Sequence, residues 1–289
     1  MVNEAEKRLM KPLEEMDMID DFLFTEIMSD KRNGIEVCRM ILSCVLKREI
    51  GKIHFTPQRA VPGLSEKLHG IRMDAYVTEG DENEDDRGDF SVYDIEPDNR
   101  SSNKAELPKR SRYYGDLVDV QLLNTGIAYE KLPELITIFI LSYDPFGEDA
   151  LYYEAGSIIK THPKIPYNDG VRRIYLYVNG KLPDDADEDD KKLGNLLRYI
   201  GCSTKANVTD DTTKRLNEIV TVTKSKKDIG VRYMKSWEIL RDVKEEGREE
   251  ERANTRAETE RADRAEQRAN SAEQRVRELE AILAANAQS

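Results

Sequence analysis

Two short, neighbouring stretches of the chain have the side-chain patterns of strands. In IRMDAYV, residues 71–77, the isoleucine, methionine, alanine and valine fall on one face of an extended backbone. A second stretch, FSVYDIE, follows after a charged tip that contains glycine and asparagine. In this second stretch Asp94 and Glu96 share one face, and two such stretches on either side of turn residues predict two strands joined by a hairpin. Residues 135–141, LITIFIL, are apolar throughout, which predicts a central strand buried on both faces.

Apolar side chains recur at three-four spacing elsewhere in the chain, which predicts helices. The expected helices are one capped by Asp20 or Asp21 and others at about residues 34–47, 108–124, 191–200, 210–223 and from 229 onward. Shorter strands are expected at about residues 53–56, 151–155 and 173–178, with loops at 57–68 and 184–190. This order of elements predicts an α/β domain with a mixed central sheet flanked by helices.

The composition changes near residue 243, beyond which charged side chains dominate. Small apolar residues step through this segment by three and four: Ala262, Ala265, Ala269, Ala272, Val276, Leu279 and Leu283. Two interpretations stay open: a weak coiled coil, because an alanine seam buries little area, or a single helix held by charge pairs between successive turns. The chain is therefore expected to comprise a flexible N-terminus (1–19), a domain (20–240) and a charged helix (241–289) through which it could form homo-oligomers.

Charge and cysteine content narrow the class of protein. The formal net charge of −12 argues against binding of polyanions over the whole surface, so any DNA contact needs a local basic patch or a metal ion. Three cysteines are scattered without metal-ligand spacing, which indicates free thiols in a reducing compartment. The sequence shows neither an apolar signal segment nor a run long enough to span a membrane. We therefore expect a cytoplasmic protein that does not bind membranes.

Two carboxylates stand on the predicted hairpin strands, Asp74 on the first and Glu96 on the second. Acidic side chains on otherwise apolar strands are costly unless they bind a metal ion or find partners. Two carboxylates from adjacent strands suit Mg²⁺, which prefers a few hard oxygen ligands. The alternative is that each pairs with an arginine such as Arg72. Because proline cannot donate to a strand ladder, Pro97 predicts that the second strand ends or bulges after Glu96, with Asp98 beside the site.

Basic residues open the helix that follows the hairpin. Lys109, Arg110 and Arg112 lie in its first turns, where positive charge opposes the helix dipole. A bound phosphate would offset this cost, and so would simple pairing with Glu106 or Asp116. The segment is therefore a candidate for contact with a phosphate backbone.

Several motifs, taken in order, resemble the Rpn-like branch of the PD-(D/E)xK nuclease superfamily, a group of recombination-promoting and transposase-like nucleases. They are IRMDAYV, YDIE, LPKRSRYYGDLVD and IFILSYDPFG, and the resemblance covers about residues 11–201. The family implies a restriction-endonuclease-like core and hydrolysis of DNA phosphodiesters that depends on Mg²⁺ or Mn²⁺. By the same resemblance, Asp74 and Glu96 are the metal-binding motif acids, and Asp21 of the first helix is the candidate that completes the metal site.

Position 98 departs from the family pattern, which has lysine there, or often glutamine in this branch, to orient the attacking water. Asp98 cannot stabilise the developing negative charge as an ammonium group would. Asp98 would instead become a further metal ligand, or Lys109 or Arg112 would supply the missing positively charged donor. Arg110 and Arg112 are expected to contact phosphate. Two functions stay open: a DNA endonuclease acting in recombination or mobile-element processing, and a degenerate nuclease fold that serves as a binding or assembly module.

Overall fold

The computed structural model describes residues 11–62, 70–80, 90–123 and 128–286. The chain divides into two compact units, one ending at Gly230 and the other beginning at Val231. The first unit holds the sheet and its flanking helices, and the second consists of most of a long C-terminal helix. Among the described helices, none combines the length and the apolarity that a membrane span requires. The charged tip expected between the hairpin strands lies outside the described residues.

One mixed sheet forms the centre of the first unit. Its strands are β1 Ile53–Val61, β2 Ile71–Glu79, β3 Ser91–Asp98, β4 Glu134–Leu141, β5 Tyr152–Ala155 and β6 Val171–Tyr177. The six strands lie in the order β1-β2-β3-β4-β6-β5. Strands β1 to β3 form an antiparallel meander, β3, β4 and β6 run parallel, and β5 returns antiparallel to β6. Strand β4 is buried along nearly its whole length, as its continuous apolar run predicts.

Helices cover both faces of this sheet. The described α-helices are, in chain order, α1 Asp21–Ser29, α2 Lys31–Leu46, α3 Leu107–Leu122, α4 Glu188–Gly201, α5 Asp211–Ser225 and the long helix α6 Lys227–Asn286. Phe55 lies opposite Val77, and its ring touches Gly34 of α2 so closely that a side chain on this glycine would clash. Tyr76, which precedes Val77 on β2, faces the other side of the sheet, where it packs with Leu117 of α3. The predicted mixed α/β sheet with flanking helices and a long C-terminal helix is confirmed.

Aspartate side chains cap the N-terminal ends of several helices. Asp30 accepts hydrogen bonds from the backbone N–H groups of Arg32 and Asn33, at 3.2 Å each, and so caps α2. Asp187 and Asp190 form a reciprocal capping box at the start of α4. The acidic run at residues 184–190 was expected to be a loop, but its last residues form the first turn of α4, where acidic side chains favour the helix dipole.

Two strands continue through a proline at which the sequence predicted that they would end. Strand β1 continues through Pro57 to Val61, into the expected loop, because β1 is an edge strand whose proline loses no ladder bond on its open side. Strand β3 likewise continues through Pro97, which lies opposite Ile140 of β4. The pairing of β3 with β2 has already ended at Ile95, so the missing N–H of Pro97 breaks no ladder there.

The start of the described chain is packed rather than flexible. Leu13, Met16, Met18 and Ile19 are all buried. The backbone N–H of Met18 donates to the hydroxyl of Ser203 at 2.8 Å, which ties this segment to the end of α4. Residues 11–19 therefore belong to the domain, which corrects their assignment to a flexible terminus, and residues 1–10 lie outside the described residues.

The long helix α6 is exposed along most of its course. Every described side chain between residues 245 and 277 is exposed, including Val276 of the apolar seam at 53%. The division between the two units falls at Val231, earlier than the predicted boundary at residue 241. Exposure of this kind is compatible with a solvated single helix and with a weak coiled coil, so both interpretations stay predictions.

Candidate functional site

Strands β2 and β3 separate at the position of the two predicted site acids. Their last paired residues are Ala75 and Ile95. One position further along, the backbone N–H of Asp74 donates to the side-chain carboxylate of Glu96, with N to Oε1 at 2.8 Å, instead of to the facing backbone. Asp74 and Glu96 therefore face each other across the opening between the strands, as the hairpin prediction requires.

This opening leads into a polar cavity of about 200 Å³. Its lining consists mainly of charged side chains from α1, β2, β3 and α3: Asp21, Arg72, Asp74, Glu96, Pro97, Asp98, Arg100, Arg110 and Tyr114. Asp21, Asp74, Glu96, Asp98 and Arg110 were singled out from the sequence, and the fold brings them together. Lys109 and Arg112 are exposed on α3 and do not contribute to the lining.

The acids around the cavity raise one another's pKa values. Burial raises the pKa of Asp74, and the nearby charge of Asp21 raises it further, although a hydrogen bond from Gln58 opposes the shift. Burial likewise raises the pKa of Asp21. The pKa of Glu96 lies well above its usual value, because the side chain is buried and the carboxylates of Asp94 and Asp74 are close. Negative charge is thus concentrated where few donors compensate it.

Asp94 belongs to the same acidic group, a role that the sequence did not assign to it. Its side chain is fully buried, and neither of its oxygens accepts a hydrogen bond from an N–H or O–H donor of the described residues. It does lie within hydrogen-bonding reach of the Glu96 carboxyl, a bond that forms only when one of the two acids carries a proton. Burial raises the pKa of Asp94 accordingly. Its position two residues before Glu96 puts both on one strand face, which is the signal visible in the sequence.

Gln58 is a second site residue that the sequence did not reveal. Its Nε2 donates to Oδ1 of Asp74 at 2.7 Å, which leaves the other carboxylate oxygen free. Gln58 adopts a left-handed backbone conformation with φ of 49°, an uncommon conformation for a residue other than glycine. Backbone strain of this kind concentrates at functional sites. The Pro57–Gln58 pair marks an irregular point in β1, but no periodicity reveals where its side chain points.

Asp98 is held in a buried ion pair with Arg110. The side chain is 3% exposed, and its Oδ2 accepts from Nη2 of Arg110 and, at 3.3 Å, from the hydroxyl of Tyr143. Its Oδ1 accepts from the backbone N–H of Arg100 at 2.9 Å. The Arg110 guanidinium also lies over the ring of Phe139, 5.2 Å from its centre. Both oxygens of Asp98 are therefore engaged by protein donors.

The donor chemistry at the cavity fits a divalent cation. Asp74 and Glu96 each keep an oxygen that no described donor satisfies, and Asp21 lines the same cavity. The unpartnered carboxylate of Asp94 adds negative charge behind them, which a cation would neutralise. Among the residues that the structure describes, however, no group of three or more histidine, cysteine, aspartate or glutamate side chains stands in metal-binding geometry. The cavity thus fits a divalent cation by the type and the charge of its oxygen donors.

A larger cavity of about 610 Å³ lies between the end of α2, strand β5 and the start of α4. Its cations are already neutralised by neighbouring acids, for example Lys47 by Asp190 at 2.9 Å and Arg172 by Glu154 at 2.7 Å. The smaller cavity, where acids are left uncompensated, is therefore the stronger candidate for chemistry.

The site is thus a carboxylate-rich cavity with arginines in its wall, at the C-terminal end of a central strand. No family model matches this chain, and neither the curated proteins nor the solved structures include one that is significantly similar to it.

Proposed function

We propose that the protein is a metal-dependent DNA endonuclease that resembles the Rpn-like branch of the PD-(D/E)xK superfamily and acts in recombination or mobile-element processing. The observation that carries this proposal is the facing pair Asp74 and Glu96 at the point where β2 and β3 separate. The antiparallel meander β1–β3, followed by α3 and the parallel strand β4, also agrees with the expected restriction-endonuclease-like core.

In this proposal the acids of the cavity, their neighbour Gln58 and two of the arginines have defined tasks. Asp74 and Glu96 would hold Mg²⁺ or Mn²⁺, with Asp21 as a third oxygen donor. The bound cation would lower the pKa of a water molecule and polarise the scissile phosphate. Gln58 fixes the orientation of the Asp74 carboxylate, and outer partners of this kind tune metal affinity. Arg72 and Arg100, in the wall of the cavity, would neutralise neighbouring phosphates of the DNA backbone.

Nicking of supercoiled plasmid by the full-length protein with Mg²⁺ or Mn²⁺ tests the proposal. We expect cleavage that is lost in Asp74→Ala and in Glu96→Ala. The matched control is Glu134→Ala, which removes an exposed carboxylate from the opposite end of the neighbouring strand β4 and should leave cleavage intact. Absence of cleavage with both metals, or cleavage that persists in Glu96→Ala, would refute the proposal.

A non-catalytic assembly module is the alternative function. The observation in its favour is the long exposed helix α6, together with an aspartate at position 98 where the family resemblance leads us to expect lysine or glutamine. In that case the protein would self-associate through α6 and would not cut DNA. Sedimentation of the full chain beside the plasmid assay separates the two functions.

A further inference from the structure

We propose that Arg110 is a phosphate-binding cation of the cavity, beside Arg72 and Arg100, and that Asp98 acts as a positioning residue that holds Arg110 in place. The missing positive charge at position 98 would then come from α3, through an ion pair that joins the helix to the end of β3. The inference rests on the proposed function only for the identity of the anion, which we take to be a phosphate of DNA.

Arg110 is fixed from two sides. Its Nη2 donates to Oδ2 of Asp98, and its guanidinium plane is supported by the ring of Phe139. Asp98 is itself fixed, because the Arg100 backbone and the Tyr143 hydroxyl also donate to it. A guanidinium anchored in this way loses little further conformational freedom when it binds an anion.

Arg110 also keeps unused donor capacity. The side chain is 22% exposed and lines the cavity, and its Nη2 is the nitrogen that the aspartate engages. Its buried Nε has no acceptor among the described residues. A buried N–H without a partner is costly, and a guanidinium has five N–H donors arranged to bind phosphate in pairs. A phosphate in the cavity would accept from the terminal N–H groups that Asp98 leaves unused.

The position on α3 explains why Arg110 fills this role rather than its neighbours. Arg110 and Tyr114 are four residues apart, so they share a helix face, and both line the cavity. Lys109 and Arg112 point away from that face and are exposed. Of the three basic residues predicted at the start of this helix, Arg110 is the one that reaches the acids of β3.

Substitution of Asp98 shows whether this residue positions Arg110 or only adds negative charge to the cavity. Removing a negative charge beside a phosphate site should tighten DNA binding on electrostatic grounds alone. If Asp98 positions Arg110, Asp98→Asn should instead weaken binding of a short DNA duplex in Ca²⁺ and slow cleavage by roughly 10–100-fold, as loss of an outer partner does. Arg110→Met should slow cleavage by roughly 100–1,000-fold and reduce the salt slope of duplex binding by about 0.9.

A pair of matched variants provides the control. Lys214→Met removes an exposed cation from α5 and should change neither cleavage nor the salt slope. The double variant Asp98→Asn/Arg110→Met removes both members of the buried pair, which leaves no uncompensated charge to disturb folding. Because Asp98 acts through Arg110, this variant should behave like Arg110→Met alone. Tighter binding by Asp98→Asn, or additive losses in the double variant, would overturn the inference.

A titration with inorganic phosphate, observed through the arginine Nε–H resonances in NMR spectra, makes the test independent of cleavage. We expect a saturable shift of the Arg110 resonance that is lost in Asp98→Asn, with no shift of Arg215, which Glu36 and Glu218 hold elsewhere. An Arg110 resonance that does not respond to phosphate overturns the inference even if the protein cuts plasmid. A saturable response in a protein that does not cut supports Arg110 as the anion-binding group while the nuclease proposal fails.

Discussion

Carboxylates at the two ends of the ladder that pairs β2 with β3 have opposite surroundings. At one end Glu79 accepts hydrogen bonds from both terminal nitrogens of Arg48, at 2.9 and 2.7 Å, and from the hydroxyl of Tyr93 at 2.6 Å. The backbone N–H of Gly51 donates to it as well. Arg48 and these other donors lower the pKa of Glu79 to about 2.

At the other end of this ladder, just beyond its last pair, Asp74 lies close to Glu96 and Asp94 with few donors, and the pKa values of all three are raised. The strands, their residue types and their sheet neighbours are shared by the two ends, so these do not account for the difference. A carboxylate that accepts a full set of hydrogen bonds has a structural role. A group of carboxylates without donors marks a place where a ligand can complete the structure, which is why the second end is the candidate site.

The largest effect should come from substituting the acids at the unsatisfied end. Glu96→Gln should lower Mn²⁺ affinity by more than the roughly 10–100-fold that loss of an outer partner costs. It should also raise the melting temperature of the metal-free protein, because like-charge repulsion is relieved. Calorimetric titration and thermal melts measure the two effects.

Glu79→Gln is the matched control for this substitution at the other end of the β2–β3 ladder. It should lower the melting temperature and leave Mn²⁺ affinity unchanged, since Glu79 already has its partners. If Glu96→Gln binds Mn²⁺ like the parent protein, the contrast between the two ends has no functional meaning.

A smaller effect is expected when the donors at the satisfied end are removed. Arg48→Met deletes two charge-assisted hydrogen bonds to Glu79 and one bond to the Tyr93 hydroxyl. Because the arginine is about half exposed, solvent screening limits the loss to about 1–2 kcal/mol of unfolding free energy. Urea denaturation measures this loss, with Lys214→Met as the surface control. Equal stability of Arg48→Met and the parent would show that the network is solvated rather than structural.

The pH dependence of stability should differ in sign between the two ends. Glu79 has a lowered pKa in the folded state, so its contribution is present above its usual pKa and is lost as the pH falls toward about 2. Asp94 has a raised folded pKa, so its neutral form is tolerated at low pH. Stability is then lost as the pH rises from the usual carboxylate range through the raised value.

Thermal melts of the metal-free protein between about pH 2 and about pH 8 test this difference, since one unit of pKa shift corresponds to about 1.4 kcal/mol. Asp94→Asn should remove part of the decline toward neutral pH, and Mg²⁺ should reduce it in the parent protein. A decline that is identical in Asp94→Asn and the parent would exclude Asp94 as its source.

The smallest effect on stability should follow deletion of residues 244–289. The described side chains of this part of α6 are exposed, so little apolar area leaves the solvent there. The truncated protein should melt within about 2 °C of the full chain, which corresponds to at most about 1 kcal/mol. Any self-association should weaken in sedimentation experiments. A clearly lower melting temperature at a concentration where both proteins are monomeric would contradict this expectation.

Local patterns in the sequence determine much of the sheet and the helices. Side chains alternate with a fixed period along a strand, so the run from Ile71 to Val77 and the position of Glu96 predicted which acids would meet. The apolar run of β4 and the charged composition beyond residue 243 likewise predicted a buried strand and an exposed helix. These features depend on neighbours in sequence, which periodicity describes.

Only the tertiary structure decided which partner each charged side chain has. Asp98 pairs with Arg110 because the start of α3 lies beside the end of β3, and no local pattern encodes that placement. Asp94 is buried beside Glu96, and Gln58 reaches Asp74 through a left-handed backbone conformation at the sheet edge. Glu79 is matched with Arg48, a residue that precedes the sheet. Whether a carboxylate is satisfied thus depends on long-range packing, and this distinction separates the architectural acids from those of the candidate site.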